Sequence, residues 1–250
     1  MKKYAFFLDI DGTLYDGKCI PEGNIRAINR AVSEGHYVFI STGRGYKNIG
    51  DKILDAAPWS GVVAAAGAEI RIGDEVIRKN VSTALAFRVV ELAFKRDGWT
   101  CLSNKDETIV INLPEREEWY HPESTEQVKK RYPDLSVTKI DLSGEMSCEL
   151  VSAIEEEMYL HYYDIYCEAV VKGCSKSEAM KYVGDRLGIP LERRVAMGDS
   201  VNDKDALIYA GISVAMGNAP HDIKELADFV TLSASDAGVG KAMEKILYEL

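Results

Sequence analysis

The stretch that decides the fold is Ala5-Phe6-Phe7-Leu8-Asp9-Ile10-Asp11-Gly12-Thr13, near the start of the chain. The apolar segment Tyr4–Leu8 predicts a short buried strand, and Gly12 gives the backbone freedom for a sharp exit from it. Because side chains alternate faces in an extended segment, we expect Asp9 and Asp11 to point the same way. Two carboxylates held so close repel each other unless a cation lies between them or one binds a proton. The sequence therefore predicts a functional site at this point.

A second acidic cluster follows another predicted strand far along the chain. Val195-Ala196-Met197 runs directly into Gly198-Asp199-Ser200-Val201-Asn202-Asp203. Ligands of open parallel sheets gather outside the carboxyl ends of the strands. A cation at that edge could be shared by four acids: Asp9, Asp11, Asp199 and Asp203. Oxygen ligands with no His or Cys nearby suit Mg²⁺ rather than Zn²⁺, so the pattern predicts a magnesium site.

Two other interpretations of the first acidic pair are weaker. A calcium loop beginning at Asp9 needs an acidic residue or Asn at its fifth position and Glu at its twelfth, but Thr13 and Ile20 stand there. An Asp-Gly turn in a hairpin could explain one cluster alone. Two acidic clusters at two strand ends favour a site over a turn.

Two further segments could bind phosphate. Ser41-Thr42-Gly43-Arg44 follows the predicted strand His36–Ile40, and a hydroxyl, a glycine amide and a helix N-terminus are good donors for phosphate oxygens. Lys172-Gly173-Cys174-Ser175-Lys176 contains lysines that could neutralise the crowded carboxylates. Each segment alone would be interpreted as an ordinary turn or a solvated lysine. Together with the two acidic clusters they indicate phosphate chemistry.

In this order the four segments resemble the four motifs of the haloacid dehalogenase (HAD) superfamily. More narrowly, the chain looks like the Cof-type branch of sugar-phosphate phosphatases, and Ala215-Met216-Gly217-Asn218-Ala219-Pro220 adds to that match. The resemblance covers both ends of the chain well and the middle only by its position as an insert. It implies an α/β fold, with a doubly wound, Rossmann-like parallel sheet as the core and an inserted α/β cap domain.

The resemblance also implies a role for each matching residue. Asp9 would attack phosphorus and form an aspartyl-phosphate, and Asp11 would protonate the leaving alcohol. Thr42 and the Gly43 amide would hold the phosphoryl oxygens, while Lys176 would offset negative charge. The implied metal site consists of Asp9, Asp11 through its backbone carbonyl and Asp199, with Asn202 and Asp203 as support.

The order of predicted elements suggests where the domains begin and end. Alternating strands and helices are typical of a doubly wound sheet, but this pattern changes near residue 82. We expect residues 1–81 and 169–250 to form the catalytic core. Residues 82–168 would form the cap, which in the family selects the leaving group of the substrate. A helix near 152–160 and a strand near 165–168 are expected to close this insert.

Composition excludes several kinds of partner. The 250 residues carry a net charge of −10, so neither a nucleic acid nor an anionic membrane is an expected partner. No stretch approaches the roughly 18 apolar residues that a membrane-spanning helix needs. The five cysteines form no C-x-x-C pair, which is typical of reduced thiols in the cytoplasm.

These observations predict a cytoplasmic, Mg²⁺-dependent phosphomonoester hydrolase that acts on a small phosphorylated metabolite, with a sugar phosphate favoured. A phosphomutase of the same superfamily is the alternative among enzymes, because the motifs specify only the phosphoryl half of the reaction. A non-catalytic binding or regulatory module is a further alternative, although the intact acids argue against it. The sequence leaves the physiological substrate and the oligomeric state open.

Overall fold

The computed structural model describes residues 2–114 and 117–249, and the chain divides into two compact units. The first, called the core unit below, comprises residues 1–43, 49–76 and 175–250. The second, called the insert unit, comprises residues 44–48 and 77–174.

The first sheet consists of eight strands: β1 (Ala5–Leu8), β2 (Tyr37–Ser41), β3 (Gly61–Ala64), β4 (Glu69–Ile72), β5 (Glu75–Arg78), β12 (Arg194–Gly198), β13 (Ile212–Ala215) and β14 (Phe229–Val230). Their order across the sheet is β14-β13-β12-β1-β2-β3-β4-β5, and all of them belong to the core unit except the last two residues of β5. Neighbours from β14 to β3 pair in parallel, whereas β3 and β4 are antiparallel. This arrangement confirms the predicted parallel α/β core.

The first strand lies in the middle of this sheet, between β12 and β2. All four of its residues are buried, which explains why it reads as a continuous apolar run rather than an alternating one. Phe7 stacks on Phe39 of β2 with ring centroids 5.1 Å apart. Because β1 lies in the middle of the sheet, Asp9 follows a central strand when the chain leaves the sheet.

Helices flank the strands of the core unit. They are α1 (Glu22–Ser33), α2 (Asp51–Leu54), α6 (Lys176–Arg186), α7 (Lys204–Tyr209), α8 (His221–Lys224) and α9 (Gly238–Tyr248). The buried side chain of Asn24 on α1 accepts a hydrogen bond from the Gly240 amide on α9 at 2.8 Å. This bond ties the last helix of the chain to the first.

A mostly antiparallel sheet of six strands, in the order β10-β11-β9-β6-β7-β8, forms the insert unit. The strands are β6 (Thr100–Asn104), β7 (Thr108–Ile111), β8 (Trp119–Tyr120), β9 (Val137–Leu142), β10 (Met158–Tyr162) and β11 (Cys167–Val171). The helices are α3 (Thr83–Ala93), α4 (Thr125–Arg131) and α5 (Cys148–Glu157). Serines cap all three helices: the hydroxyls of Ser82, Ser124 and Ser147 accept backbone N–H groups of the first turn.

A buried group of three charges lies on neighbouring strands of this second sheet. The Lys139 ammonium lies 2.9 Å from a carboxylate oxygen of Asp141 and 2.9 Å from one of Glu168. Burial raises the pKa of Asp141, and the charge of Lys139 opposes that rise. The single lysine is therefore what makes two buried carboxylates tolerable here.

The boundaries of the insert differ from the expected ones at 81/82 and 168/169. Ala169, Val170 and Val171 belong to β11 and pair with β9 and β10, so the chain returns to the core unit only at Ser175. At the other end, the insert unit begins at Ile77 and also includes residues 44–48. A run of apolar residues predicts a buried strand but does not say to which sheet the strand belongs. The sequence therefore predicts the boundary before β11, whereas in the structure it comes after β11.

The end of the insert also differs in its elements. The predicted helix near 152–160 is α5, which ends at Glu157, and the next five residues form β10 instead. Met158 has extended backbone angles, and its amide still donates to the Ile154 carbonyl as the helix ends. Aromatic residues in this segment favour a strand, and pairing with β11 determines the outcome.

In the part of the chain that the structure describes, no helix has the length and apolar character needed to cross a membrane. All five cysteines are free thiols.

Candidate active site

Three of the predicted segments lie at the carboxyl ends of three adjacent strands. Asp9 directly follows β1, Asp199 directly follows β12, and Thr42 directly follows β2. The parallel register continues past the strand, because the Asp9 amide donates to the Met197 carbonyl at 3.1 Å. The sheet thus brings together groups that are far apart in the sequence.

Lys176 joins two of the acids. Its ammonium lies 2.7 Å from Asp9 Oδ1 and 2.6 Å from Asp203 Oδ1, with Asn202 Oδ1 at 3.4 Å. Only 2 % of Lys176 is exposed, and it is the first residue of α6, whose N-cap is Ser175. The lysine is thus held at a fixed place between the first and last acidic segments.

The charge balance of this buried group is visible in its pKa values. Burial raises the pKa of Asp9 to about 8. The positive charge of Lys176 opposes this rise, and the negative charges of Asp203 and Asp199 add to it. Burial alone would lower the pKa of Lys176, but Asp203 and Asp9 raise it above its usual value. Lys176 therefore stays protonated and is the cation that makes the cluster possible.

Asp203 uses both of its oxygens to shape the site. Oδ1 accepts from Lys176, while Oδ2 accepts the backbone amides of Asp199 at 3.0 Å and Ser200 at 3.1 Å. A Cβ at Gly198 would lie 2.3 Å from the Asp203 carboxyl carbon, so only glycine fits there. Asp203 thus holds the loop that presents Asp199.

Asp199 is oriented by residues from both ends of the chain. Thr13 Oγ1 donates to Asp199 Oδ1 at 2.8 Å, and Asn218 Nδ2 lies 3.4 Å from Oδ2. Burial raises the pKa of Asp199 to about 6, although the Thr13 hydrogen bond opposes that rise. A Cβ at Gly12, whose φ is +79°, would lie 2.2 Å from Asp199 Oδ2, which explains the glycine of the first motif.

Three carboxylates can converge on a cation. Asp9, Asp199 and Asp203 each offer one oxygen, and these atoms lie within 4.8 Å of one another. All donors are oxygen atoms, and Asn202 supplies a further one beside Lys176. This donor set fits Mg²⁺, which prefers carboxylates and water in a compact site.

Asp11 is not one of these three carboxylates. The strand ends at Leu8, and the amides of Thr13 and Tyr15 turn back to the Ile10 carbonyl. Asp9 is buried and Asp11 is exposed, so the two acids differ in their access to solvent. That their side chains point the same way stays a prediction.

Thr42 and Gly43 are both buried at the end of β2. The Thr42 amide donates to the Val63 carbonyl at 2.9 Å, and the Thr42 carbonyl accepts the Ala66 amide at 3.1 Å. Ala66 belongs to a left-handed turn in which Ala65, Ala66 and Gly67 have φ values of 51°, 50° and 96°. These bonds hold the backbone of Thr42 between β3 and the turn that follows it.

Lys172 is placed in the other unit. Its ammonium donates to the Glu155 carbonyl at 2.7 Å and to the Glu156 carbonyl at 3.3 Å, within the insert unit. Of the two lysines in the predicted segment, Lys176 is thus the one that contacts Asp9.

Asn218 was not among the predicted site residues, although the segment that contains it was part of the resemblance. It donates to the Gly12 carbonyl at 2.8 Å as well as approaching Asp199. By itself, an asparagine in a loop far from the acidic segments does not indicate a site residue. Only the tertiary contact identifies it.

Comparison with known proteins agrees with this geometry. A family profile of haloacid dehalogenase-like hydrolases matches residues 6–243. The chain is 31 % identical to the 5-amino-6-(5-phospho-D-ribitylamino)uracil phosphatase YcsE of Bacillus subtilis, over 94 % of this chain and 92 % of that protein. It is 26 % identical to YitU, a phosphatase of the same name from the same organism, over 98 % of this chain and 97 % of YitU.

A solved structure shares the fold. The HAD subclass IIB sugar phosphatase BT4131 superposes with a TM-score of 0.79 at 23 % identity, covering 98 % of this chain and 99 % of that one. The predicted class of enzyme, a HAD-type phosphatase, is confirmed by the family match together with the relatives YcsE and YitU. The chain therefore belongs to the haloacid dehalogenase-like hydrolase family, in the Cof-type branch that its motifs predicted.

Proposed function

We propose that this chain is a Mg²⁺-dependent phosphomonoester hydrolase that acts on a small sugar or sugar-alcohol phosphate through an aspartyl-phosphate intermediate. The observation that carries the proposal is the geometry of Asp9. Its Oδ1 is held by Lys176 at 2.7 Å, whereas Oδ2 accepts no hydrogen bond from the described residues. One oxygen is therefore anchored and the other is available as a nucleophile.

In the first step, Asp9 Oδ2 attacks phosphorus, and the bond between phosphorus and the ester oxygen breaks. Asp11 gives its proton to that ester oxygen, so the leaving group departs as a neutral alcohol. Asp11 is exposed and Asp9 is buried, which suits a proton donor and a nucleophile respectively.

In the second step, a water molecule gives its proton to Asp11 and attacks the phosphorus of the aspartyl-phosphate. The bond between Asp9 and phosphorus then breaks, which releases inorganic phosphate and restores both carboxylates to their starting states. Splitting the hydrolysis in this way replaces one difficult displacement by two easier ones.

Cancellation of negative charge is the main task of the remaining residues. Lys176 offsets charge on Asp9, and the Thr42 hydroxyl and the Gly43 amide would hold phosphoryl oxygens. Asp9 and Asp199 would hold Mg²⁺ together with the Asp11 carbonyl, while Asn202 and Asp203 support them. The bound ion would supply positive charge that binds and polarises the phosphoryl group.

The substrate class is supported by the relatives. YcsE and YitU are named for a substrate with a phosphorylated ribityl chain, and BT4131 is described as a sugar phosphatase. All three names describe a phosphate ester on a polyhydroxylated carbon chain. We extend that class, rather than any single compound, to this protein.

The test is release of inorganic phosphate from a panel of sugar, sugar-alcohol, carboxylate and nucleotide phosphates, with Mg²⁺ and with a chelator. Asp9→Asn provides the matched variant, because it keeps the size of the side chain and removes the nucleophile. We expect release that requires Mg²⁺, is lost in the variant and is fastest with sugar or sugar-alcohol phosphates. Hydroxylamine, which cleaves acyl phosphates, should trap Asp9 during turnover.

Other outcomes would overturn the proposal in distinct ways. Transfer of phosphate to a second hydroxyl instead of water would establish a mutase. Absence of turnover by folded protein that binds Mg²⁺ would favour a non-catalytic module. The cytoplasmic location remains a prediction that fractionation of the native host would check.

A further inference from the structure

The outer strands of the two sheets differ in how they are protected against pairing with another strand. β14 and β8 are only two residues long, and β5 carries Glu75 and Arg78. β10, in contrast, is a five-residue strand of sequence Met-Tyr-Leu-His-Tyr, with no Lys, Arg, Asp, Glu or Pro. Natural sheets usually protect an edge with short strands, charges or proline. β10 lacks all of these.

The hydrogen-bond pattern shows which backbone groups of β10 are open. The Lys172 amide donates to the Glu157 carbonyl, and the Tyr163 amide donates to the Tyr166 carbonyl, at the two ends of the hairpin. Antiparallel pairs alternate between bonded and non-bonded, so Tyr159 and His161 direct their backbone groups towards β11. The N–H and C=O groups of Leu160 and Tyr162 therefore point away from the sheet.

Exposed apolar side chains concentrate on the same hairpin. Tyr159, Tyr162 and Ile165 are 54 %, 65 % and 82 % exposed. Among the described residues of the insert unit, these three are all of the large hydrophobic side chains that are exposed. Isolated exposed apolar residues are common, but a group of them beside an open strand edge is typical of an interaction surface.

We propose that β10 pairs with β10 of a second copy of this chain, antiparallel and about a twofold axis at His161. Leu160 of one copy would lie opposite Tyr162 of the other. Both residues have open N–H and C=O groups, so this register forms four backbone hydrogen bonds, two at each pair. It also places Leu160 against an aromatic ring across the interface, a favourable cross-strand combination.

The neighbouring register is less favourable. Pairing Leu160 with itself would place Met158 opposite Tyr162, but the Met158 amide already donates to the Ile154 carbonyl. Centring the axis on His161 pairs Leu160 with Tyr162 and needs no hydrogen bond from the Met158 amide.

A second copy fits this edge for two reasons. The interface is self-complementary, because a twofold axis makes each strand the partner of an identical strand. The strand itself has no carboxylate or ammonium group, so two copies of a chain with net charge −10 can pair here without placing charged side chains of the two strands opposite each other. One short strand and a few side chains form a small interface, so we expect a weak, concentration-dependent dimer.

Disulfide trapping tests the register. In a background with Cys19→Ser and Cys148→Ser, which removes the two exposed thiols, His161→Cys places two cysteines opposite each other on the axis. Such a non-hydrogen-bonded pair has Cα atoms about 4.5 Å apart, within the range of a disulfide. Tyr159→Cys is the matched control, because its two copies would lie about 13 Å apart along the strands.

We expect a disulfide-linked dimer from His161→Cys under mild oxidation and none from Tyr159→Cys. Equal cross-linking of both variants, or of neither, would overturn the proposal.

Sedimentation of the protein with its natural cysteines tests association independently. The mean mass should rise with concentration, and Tyr162→Pro should abolish the rise, because the Tyr162 amide has no partner within the sheet but is needed between copies. Tyr162→Lys places a charge on the same edge and should also abolish the rise in mean mass. It replaces the proline variant if that variant folds poorly. A protein that stays monomeric at every concentration, or associates equally well in both variants, would refute the dimer.

Discussion

Asn218 Nδ2 donates a hydrogen bond of 2.8 Å to the backbone carbonyl of Gly12, which lies 206 positions earlier in the chain. The same amide group lies 3.4 Å from Asp199 Oδ2, while Asn218 Oδ1 accepts the Ala234 amide at 2.9 Å. The bond from Ala234 fixes which way the side-chain amide faces. Asn218 thereby positions the turn after Asp9 and the carboxylate of Asp199 at once, without belonging to the carboxylate cluster.

We expect Asn218→Ala to weaken Mg²⁺ binding and to lower kcat/KM, each by about ten- to a hundredfold, as is typical when a residue that orients metal ligands is removed. Calorimetric titration with Mg²⁺ in the absence of substrate measures the first effect, and phosphate release measures the second. Asn29→Ala, at an exposed asparagine on α1, is the control and should change neither. Unchanged Mg²⁺ affinity in Asn218→Ala would contradict the positioning role.

Lys176→Met should lower the rate of phosphate release by more than roughly tenfold, because it removes the cation between Asp9 and Asp203. Lys172→Met is the matched substitution four residues earlier, and it should leave the rate almost unchanged because Lys172 binds backbone carbonyls in the insert unit. Steady-state kinetics on both variants, after circular dichroism confirms that they are folded, checks the prediction. A near-normal rate in Lys176→Met would remove this lysine from the mechanism.

The buried charges of the insert unit make a prediction about stability. Lys139→Met should lower the free energy of unfolding by about 3–5 kcal/mol, because it leaves Asp141 and Glu168 buried without their cation. Urea denaturation measures this change. Lys129→Met removes an exposed lysine that pairs with Glu91 and should have little effect.

The loss of stability in Lys139→Met should become smaller as the pH falls. Burial already raises the pKa of Asp141 in the folded protein, and removing Lys139 takes away the charge that opposes the rise. The folded variant then binds a proton more readily than the unfolded chain does, so its stability relative to the parent should recover as the pH falls from about 7 towards about 5. A deficit that stays constant or grows over this window would show that the carboxylate charge is not the cause.

Ala237 precedes α9 in the left-handed region, with φ of 57° and ψ of 41°. That conformation costs an L-residue about 1–2 kcal/mol, so Ala237→Gly should stabilise the protein even after the greater flexibility of unfolded glycine is deducted. Ala242→Gly makes the same change inside the same helix and should destabilise by about 1 kcal/mol or more. Thermal unfolding should therefore move in opposite directions for the two variants, and a shift in the same direction would contradict the account of strain.

The sequence was sufficient to predict the parallel core and the grouping of its motifs. Strand-end acids at Asp9 and Asp199 had to meet at one edge, because parallel strands share their carboxyl ends. Lys176 could be placed beside them only through the family resemblance, since nothing in the pattern distinguishes it from Lys172. The roles of these residues in catalysis stay predictions that the experiments above test.

Local turns and pairing partners were beyond the sequence. The backbone turns after Ile10, whose carbonyl accepts the Thr13 and Tyr15 amides, and the alternation of side chains gives no warning of this turn. The strand character of Met158–Tyr162 depends on pairing with β11, because its residues also continue the pattern of α5. In the case of β10, a tertiary pairing overrides a local tendency.

The position of β1 between β2 and β12 also determines when both neighbours of β1 become available during synthesis. Residues 5–8 and 37–41 emerge early, but the other neighbour of β1 consists of residues 194–198. Until that later segment leaves the ribosome, β1 has an open side, and Asp9 lacks the acids that follow β12. The insert unit, which ends at Cys174, is synthesised before β12 and can pair its own strands without it. A nascent chain therefore gains its reactive centre only after β12 has been synthesised, when long-range parallel pairing, an intrinsically slow step, becomes possible.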